Sequence, residues 1–202
     1  FRDDDHVRIH PIITKGGNLV NVVPDEVVIE TLVRAANKDA IADAAAKTDR
    51  AFKAGAIAVG AACEITTMPG YLPALSEKAD ESVLAAAEIA EKKKEKDYQI
   101  VQEDTHAYSG GSTDVGDVQH LQPVLTFNTG GKVSGLHSVD FDIVDEELAY
   151  VVTAKIFALS AYRLLRDGAV KAKEIVANYQ PIFTKEEYIK YMDSFIKTET
   201  YQ

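Results

Sequence analysis

Two short stretches of this chain carry residue types that can do chemistry at close quarters. The first is Ser109-Gly110-Gly111-Ser112-Thr113-Asp114-Val115-Gly116-Asp117. A glycine pair ahead of small hydroxyl residues lets backbone and hydroxyls approach a ligand closely, because no side chain stands in the way. The second is Gly135-Leu136-His137-Ser138-Val139-Asp140-Phe141. An imidazole preceded by a flexible glycine and followed by an acidic-aromatic turn suits a metal ligand. One histidine is far short of a metal site, and His137 also reads as a loop histidine hydrogen-bonded to backbone. His10, His106 and His120 stand at spacings that give no ligand pattern. His10 reads as a strand residue, and the other two as structural or exposed.

The elements that must position these residues belong to a chain of 202 residues, enough for one or two domains with a sizeable core. An apolar fraction of 46% with 27% charged residues is ordinary for a soluble globular protein. The net charge of −10 argues against a nucleic-acid partner, since phosphate backbones are held by clustered Lys and Arg. Lys92-Lys93-Lys94 does cluster, but Glu91 and Glu95 flank it, which reads as a solvated helix face. The lone Cys63 excludes an intrachain disulfide and fits a reducing cytoplasm, where the chain is expected to reside. No apolar run reads as long enough to span a membrane, so no membrane partner is expected. Without an initiator Met, and with the acidic start Phe1-Arg2-Asp3-Asp4-Asp5, the chain reads as a fragment or trimmed piece.

Val7 to Thr14 and Glu26 to Arg34 are rich in β-branched and apolar residues, and their nearness in sequence predicts an antiparallel pair. Lys38 to Ala61 reads as a helix capped by Asn37, with Asp39 in its first turn and a stripe of Ile41, Ala45, Thr48, Phe52, Ala56 and Val59. Cys63 to Thr67 reads as a third strand, stopped by Met68-Pro69-Gly70. This is the tail of an α+β sandwich whose second helix and fourth strand are expected before Phe1. A boundary falls near 68–76. Beyond it come a helix over Glu77 to Lys96 capped by Ser76, and short buried strands at Tyr98 to Gln102 and Val124 to Thr129. Glu146 to Asp167 is apolar on most sides and is expected to lie against a sheet, with Gly168 ending or bending it. Thr184 with Glu187 forms a capping box for the last helix, with Phe183 and Tyr188 as its hydrophobic staple. Strands alternating with helices predict an α/β layer.

The order Arg8-Ile9-His10-Pro11, Gly16-Gly17, Asn21-Val22-Val23-Pro24-Asp25, Val33-Arg34, Gly110-Gly111-Ser112-Thr113-Asp114 and Gly135-Leu136-His137 resembles the aminoacylase and carboxypeptidase-G superfamily of two-metal peptidases. The Ser-Thr-Asp-Val-Gly-Asp-Val string is similar to its p-aminobenzoyl-glutamate hydrolase branch, the amidohydrolases of aminobenzoyl-glutamate utilisation. The resemblance runs over nearly the whole chain. It implies an α/β catalytic domain interrupted by an α+β lid that also makes a homodimer. Residues 1–72 resemble the later part of that lid, and 73–202 the carboxyl-terminal part of the catalytic domain.

The resemblance further implies two divalent ions, zinc or manganese, in the complete enzyme. Their His-x-Asp, bridging Asp and Glu-Glu motifs would precede Phe1, as would the lid histidine that polarises the scissile carbonyl. His137 is then the one metal ligand in this chain, which holds no catalytic residue and is expected to be inactive alone. Asn21 and Arg34 would bind substrate from the lid, with Gly111, Ser112 and Thr113 offering donors to its carboxylate. An Arg fork suits the free carboxylate of an amino acid through a bidentate, charge-assisted pair. Asn21 also reads as a turn residue and Arg34 as a strand-end surface charge. Asp114 is expected to be buried, bonding the loop or capping the short helix after it. The implied reaction is hydrolysis of the amide bond of an N-acyl amino acid, p-aminobenzoyl-glutamate being one such substrate. The other class of function is a non-catalytic dimerisation or assembly module derived from the same family.

Overall fold

The computed structural model describes residues 1–75, 80–92, 100–101 and 111–202. They form a mixed α+β protein whose strands pair as three two-stranded antiparallel sheets. The chain divides into two compact units. One comprises Phe1–Ala74, Gly110–Asp117 and Phe183–Gln202, the other Leu75–Ser109 and Val118–Ile182.

In the first unit β1 (Arg8–Lys15) pairs antiparallel with β2 (Val28–Arg34), as their composition predicts. The register sets Arg8 opposite Arg34, His10 opposite Leu32 and Pro11 opposite Thr31, with an irregularity between Ile13 and Lys15. Proline has no N–H to give a ladder, so it is tolerated where no such bond is needed. An ion pair between Lys15 and Glu26 closes the far end of the hairpin. The near end is tied by Ala36 N–H, which donates to the Asp5 carbonyl at 2.8 Å.

Helix α1 (Lys38–Ala58) starts where Asn37 Oδ1 accepts the Ala40 N–H at 2.9 Å, satisfying one of the orphan donors of the first turn. It ends in a Schellman motif. Gly60 sits at φ 71°, Ala61 N–H donates to the Ala56 carbonyl and Gly60 N–H to that of Ile57. Of the predicted stripe Thr48 is buried and Ile41, Ala45, Phe52 and Ala56 are half-buried, with Ala40 and Ala44 buried beside them. Val59 of that predicted stripe is exposed. Alanines four apart let the helix come close to its neighbours, and the Thr48 hydroxyl donates to the Ala44 carbonyl at 2.8 Å, which leaves it neutral in a buried setting.

Strand β3 (Cys63–Thr67) finds its partner at the other end of the chain, in β6 (Lys197–Tyr201). The Thr66 and Thr198 hydroxyls meet across it at 3.0 Å, and Lys53 of α1 lies over the Tyr201 ring at 3.4 Å. Helix α5 (Lys185–Asp193) has the predicted capping box. Thr184 N–H donates to Glu187 Oε2 at 2.8 Å and Glu187 N–H returns to the Thr184 hydroxyl at 3.2 Å. Phe183 stacks on Tyr191, with centroids 5.1 Å apart, and Tyr191 meets the edge of Phe195. The first unit thus holds a second helix and a fourth strand drawn from residues 183–202. The four strands make two separate pairs among the described residues.

In the second unit α2 (Asp80–Lys92) packs on α4 (Thr153–Asn178). Ala85, Ile89, Val152 and Ile156 form the buried centre, flanked by Ala86, Phe127, Leu148 and Leu159, and Arg163 pairs with Glu88 at 2.9 Å. A helix, not the predicted sheet, covers this face of α4. The Ser76 cap and most of the strand predicted at Tyr98 to Gln102 lie outside the described residues, while Ile100 and Val101 are in no strand. Val124 to Thr129 is not in a strand either. The strands here are short, β4 (Lys132–Val133) with β5 (Asp142–Ile143).

Before α4 the chain makes a π-helical turn over Glu147–Val152. Thr153 stabilises this wide turn, since its hydroxyl reaches the Ala149 carbonyl at 2.6 Å and that of Leu148 at 3.3 Å. α4 is broken where Asp167, Gly168 and Ala169 take left-handed backbone, so the bend expected at Gly168 involves its neighbours as well. Glu147–Asn178 is long and apolar enough, by length and composition, to cross a membrane, with a mean hydropathy of 1.4 in its most apolar stretch. This corrects the expectation that no such run exists. The polar break at 166–169 and the packing of Val152 and Ile156 on α2 lie within the same segment.

Candidate functional site

Arg34 closes β2, and Ser112 lies in the glycine-rich loop. The fold of the first unit brings them together, and the Arg34 guanidinium donates to the Ser112 hydroxyl. Two residues far apart in sequence, each read as a binder of carboxylate, therefore share one site. Gly111, Ser112 and Thr113 are exposed there, and Arg34 is half-buried.

The loop is held from behind. Leu72 N–H donates to Asp117 Oδ1 at 2.8 Å, at the start of the short helix α3 (Val115–Gln119). Gly116 lies so close to that segment that a Cβ would stand 2.1 Å from the Leu72 carbonyl oxygen. Tyr188 of α5 also hydrogen-bonds Asp117, and burial first, then the Asp117 charge, pushes its phenol above the usual range. Asp117, and not Asp114, is thus the residue that bonds this loop into the unit. Asp114 is exposed, which corrects its expected burial; its carboxylate lies 3.4 Å from the Thr113 hydroxyl, and Thr113 Oγ1 accepts the Val115 N–H at 3.3 Å. The tight turn at 113–117 leaves the Asp114 side chain on the outside, while Asp117 falls on the face toward Leu72.

Sequence reasoning assigned no role to Arg8. Directly opposite residues of an antiparallel pair share a face, so Arg8 stands beside Arg34, with His10 next along the same side. The pairing could be inferred only from the hairpin register, not from either residue's local sequence.

Asn21 lies in the exposed turn Leu19–Val22, where Val22 N–H donates to the Leu19 carbonyl at 3.3 Å. It takes no part in the Arg34–Ser112 hydrogen bond, and its turn geometry matches the second reading given above. His137 belongs to the other unit, exposed at φ 66° in a loop where Ser138 N–H donates to the Gly135 carbonyl at 3.2 Å. Three residues on, hydrogen bonds from Ser138 and then Ser134 hold the Asp140 carboxyl below its ordinary range. His120 is buried, His10 is an exposed strand residue, and His106 lies outside the described residues. Among the described residues no three of His, Cys, Asp and Glu converge to hold a metal ion. One exposed imidazole does not by itself fit a pair of divalent ions.

The second unit also has an open concavity of about 260 Å³ lined by Phe127, Lys132, Tyr150, Phe157 and the Thr129–Thr153 hydroxyl pair, 2.7 Å apart. No family model, curated protein or solved structure matches the chain.

Proposed function

We propose that this chain forms the carboxylate-binding side of a metal-dependent amidohydrolase of the aminoacylase and carboxypeptidase-G kind. Its substrate would be an N-acyl amino acid such as p-aminobenzoyl-glutamate, with residues 1–72 from the lid and 73–202 from the catalytic domain. The observation that carries this reading is the bond between Arg34 and Ser112. It joins the two motifs that the resemblance assigns to substrate, and it presents a guanidinium fork, a hydroxyl and an open glycine backbone to one anion. In the reaction these groups would fix the amino-acid end, so that the scissile amide is held in one orientation. The zinc or manganese pair remains an expectation from the resemblance, as do the cytoplasmic location and the homodimer, and His137 is the residue proposed to contribute to the metals.

The test is calorimetric titration of the chain with p-aminobenzoyl-glutamate. Losing one partner of a desolvated charged hydrogen bond costs on the order of 2–5 kcal/mol, so Arg34→Ala should weaken binding roughly 30-fold or more. Arg34→Lys should recover only part, because an ammonium cannot make the two-pronged contact. Equal affinity for Arg34→Ala and the parent would reduce Arg34 to a surface charge. The assembly-module reading draws on the hairpin, where Ile12, Ile13, Val20 and Val23 are exposed. Sedimentation separates the two: an assembly module self-associates without binding the ligand.

A further inference from the structure

We propose that the concavity of the second unit binds a small phenolic acid, with Lys132 on its carboxylate, the Thr129–Thr153 hydroxyl pair on its phenol and aromatic side chains on its ring. This does not rest on the carboxylate reading of Arg34, which belongs to the first unit. The volume of about 260 Å³ lies just under the range of roughly 300–1,000 Å³ usual for drug-sized ligands, so it suits one ring with a short side chain. Its walls are built before any ligand arrives. Gly131, at φ 91°, runs so close to the entry of the π-helical turn that a Cβ would stand 2.6 Å from the Asp145 carbonyl oxygen and 2.9 Å from the Ala149 nitrogen. The Gly131 carbonyl accepts the Val144 N–H at 2.9 Å and the Asp145 N–H at 3.1 Å. That clamp holds the segment carrying Lys132 against the turn carrying Tyr150, which lowers the ordering cost of binding.

Three kinds of group line this space. A threonine hydroxyl has one proton to give and two lone pairs. Thr153 gives its proton to the Ala149 carbonyl at 2.6 Å, so it accepts from Thr129 across the 2.7 Å contact. Both protons are then committed, and the pair offers a ligand only lone pairs, which suits an incoming O–H. Lys132 is exposed, and its ammonium pairs with no carboxylate among the described residues. It brings three donors to an anion. Phe127 and Phe157 pack with centroids 4.7 Å apart, while Phe157 and Tyr150 leave most of their surface open. Rings so exposed gain when another ring covers them. A carboxylate, a ring and a phenolic O–H in one molecule answer all three groups. An aliphatic acid leaves the rings uncovered, and an aryl acid without a donor leaves the threonine lone pairs unmet.

The experiment compares p-hydroxyphenylacetate, p-hydroxyphenylacetamide and phenylacetate on the whole chain by calorimetry and saturation-transfer NMR. The parent should bind p-hydroxyphenylacetate with a Kd on the order of 1 mM or tighter. It should prefer this acid to the amide roughly tenfold, as a lost charge-assisted contact implies, and to phenylacetate by roughly 2- to 10-fold. Lys132→Gln should bring the acid-to-amide ratio to about one while leaving the amide near the parent's affinity. Thr129→Val should remove most of the preference for the hydroxyl, and Phe157→Ala should weaken all three probes. Arg34→Ala should leave all three affinities unchanged, whatever it does to p-aminobenzoyl-glutamate. Circular dichroism melts of each variant separate these shifts from unfolding. No binding by the parent, or an unchanged acid-to-amide ratio in folded Lys132→Gln, overturns the site. An unchanged hydroxyl preference in folded Thr129→Val overturns the phenol contact. A loss of p-hydroxyphenylacetate binding in Arg34→Ala, with Lys132→Gln like the parent, assigns the acid to the Arg34 site and overturns this inference while leaving the carboxylate reading intact.

Discussion

Gly116→Ala tests the packing that holds the Ser112 loop. The added methyl would sit 2.1 Å from the Leu72 carbonyl oxygen and 3.0 Å from the carbonyl carbons of Leu72 and Pro73. All three neighbours are backbone, so no side chain can rotate away, and one of the two segments must retreat. That retreat stretches the 2.8 Å bond from Leu72 N–H to Asp117. Overpacking costs about 1–3 kcal/mol, and the loosened charged hydrogen bond about 1–2 more. The better helix propensity of alanine offsets about 1 kcal/mol. The net loss is about 1–4 kcal/mol, which for a chain of this size lowers Tm by about 2–4 °C per kcal/mol. Gly55→Ala is the control with the opposite sign. Gly55 lies inside α1 with nothing within 4 Å of its would-be Cβ, so alanine there should stabilise by about 0.5–1 kcal/mol. Urea unfolding followed by circular dichroism measures both. If Gly116→Ala proves as stable as Gly55→Ala, the close approach to Leu72 is not what holds this loop.

Ala169→Gly should stabilise the chain by up to about 1 kcal/mol, because left-handed backbone costs alanine 1–2 kcal/mol and glycine returns part of this as unfolded-state entropy. A lower Tm would refute that. Thr153→Val should cost about 1–2 kcal/mol, since it removes the hydroxyl that bonds Thr129 and the Ala149 carbonyl, and amide exchange over Glu147–Val152 should quicken; unaltered exchange would show that the turn does not need the hydroxyl. The Glu187 carboxyl is held below its ordinary value by the Thr184 N–H and hydroxyl, so its contribution is present above the unfolded pKa and is lost as pH falls through the folded one. Glu187→Gln should therefore narrow its stability gap to the parent as pH drops below about 4. A gap that stays constant through that range would mean the cap works without the charge.

What could be read from the sequence was local. The Asn37 cap, the α1 span, the β1–β2 pair and the Thr184–Glu187 box each depend on residues a few positions apart or joined by one turn. Partners brought in from afar could not be read. Nothing near Cys63–Thr67 announces that Lys197–Tyr201 will pair with it, and Lys197–Tyr201 itself has too few apolar residues to read as a strand. The apolar run of α4 fits burial against a sheet as well as against α2, because periodicity shows that a face is buried and not what buries it. The site divides the same way. Ser112 and Arg34 were legible as residue types, whereas the opposition of Arg8 to Arg34 and the anchoring through Asp117 exist only once the chain is folded.

Pro11 has a consequence for what the chain avoids. Strand β1 presents Ile9, Ile12 and Ile13 at its surface, a short β-prone run of the kind that recruits identical copies into cross-β stacks when the chain is unfolded. A ring nitrogen in the middle of that run removes one rung from any such ladder, whichever register the copies choose. The hairpin tolerates the gap because its own pairing survives around it. The residue therefore acts as a gatekeeper. It disfavours cross-β pairing between copies of this apolar, exposed hairpin.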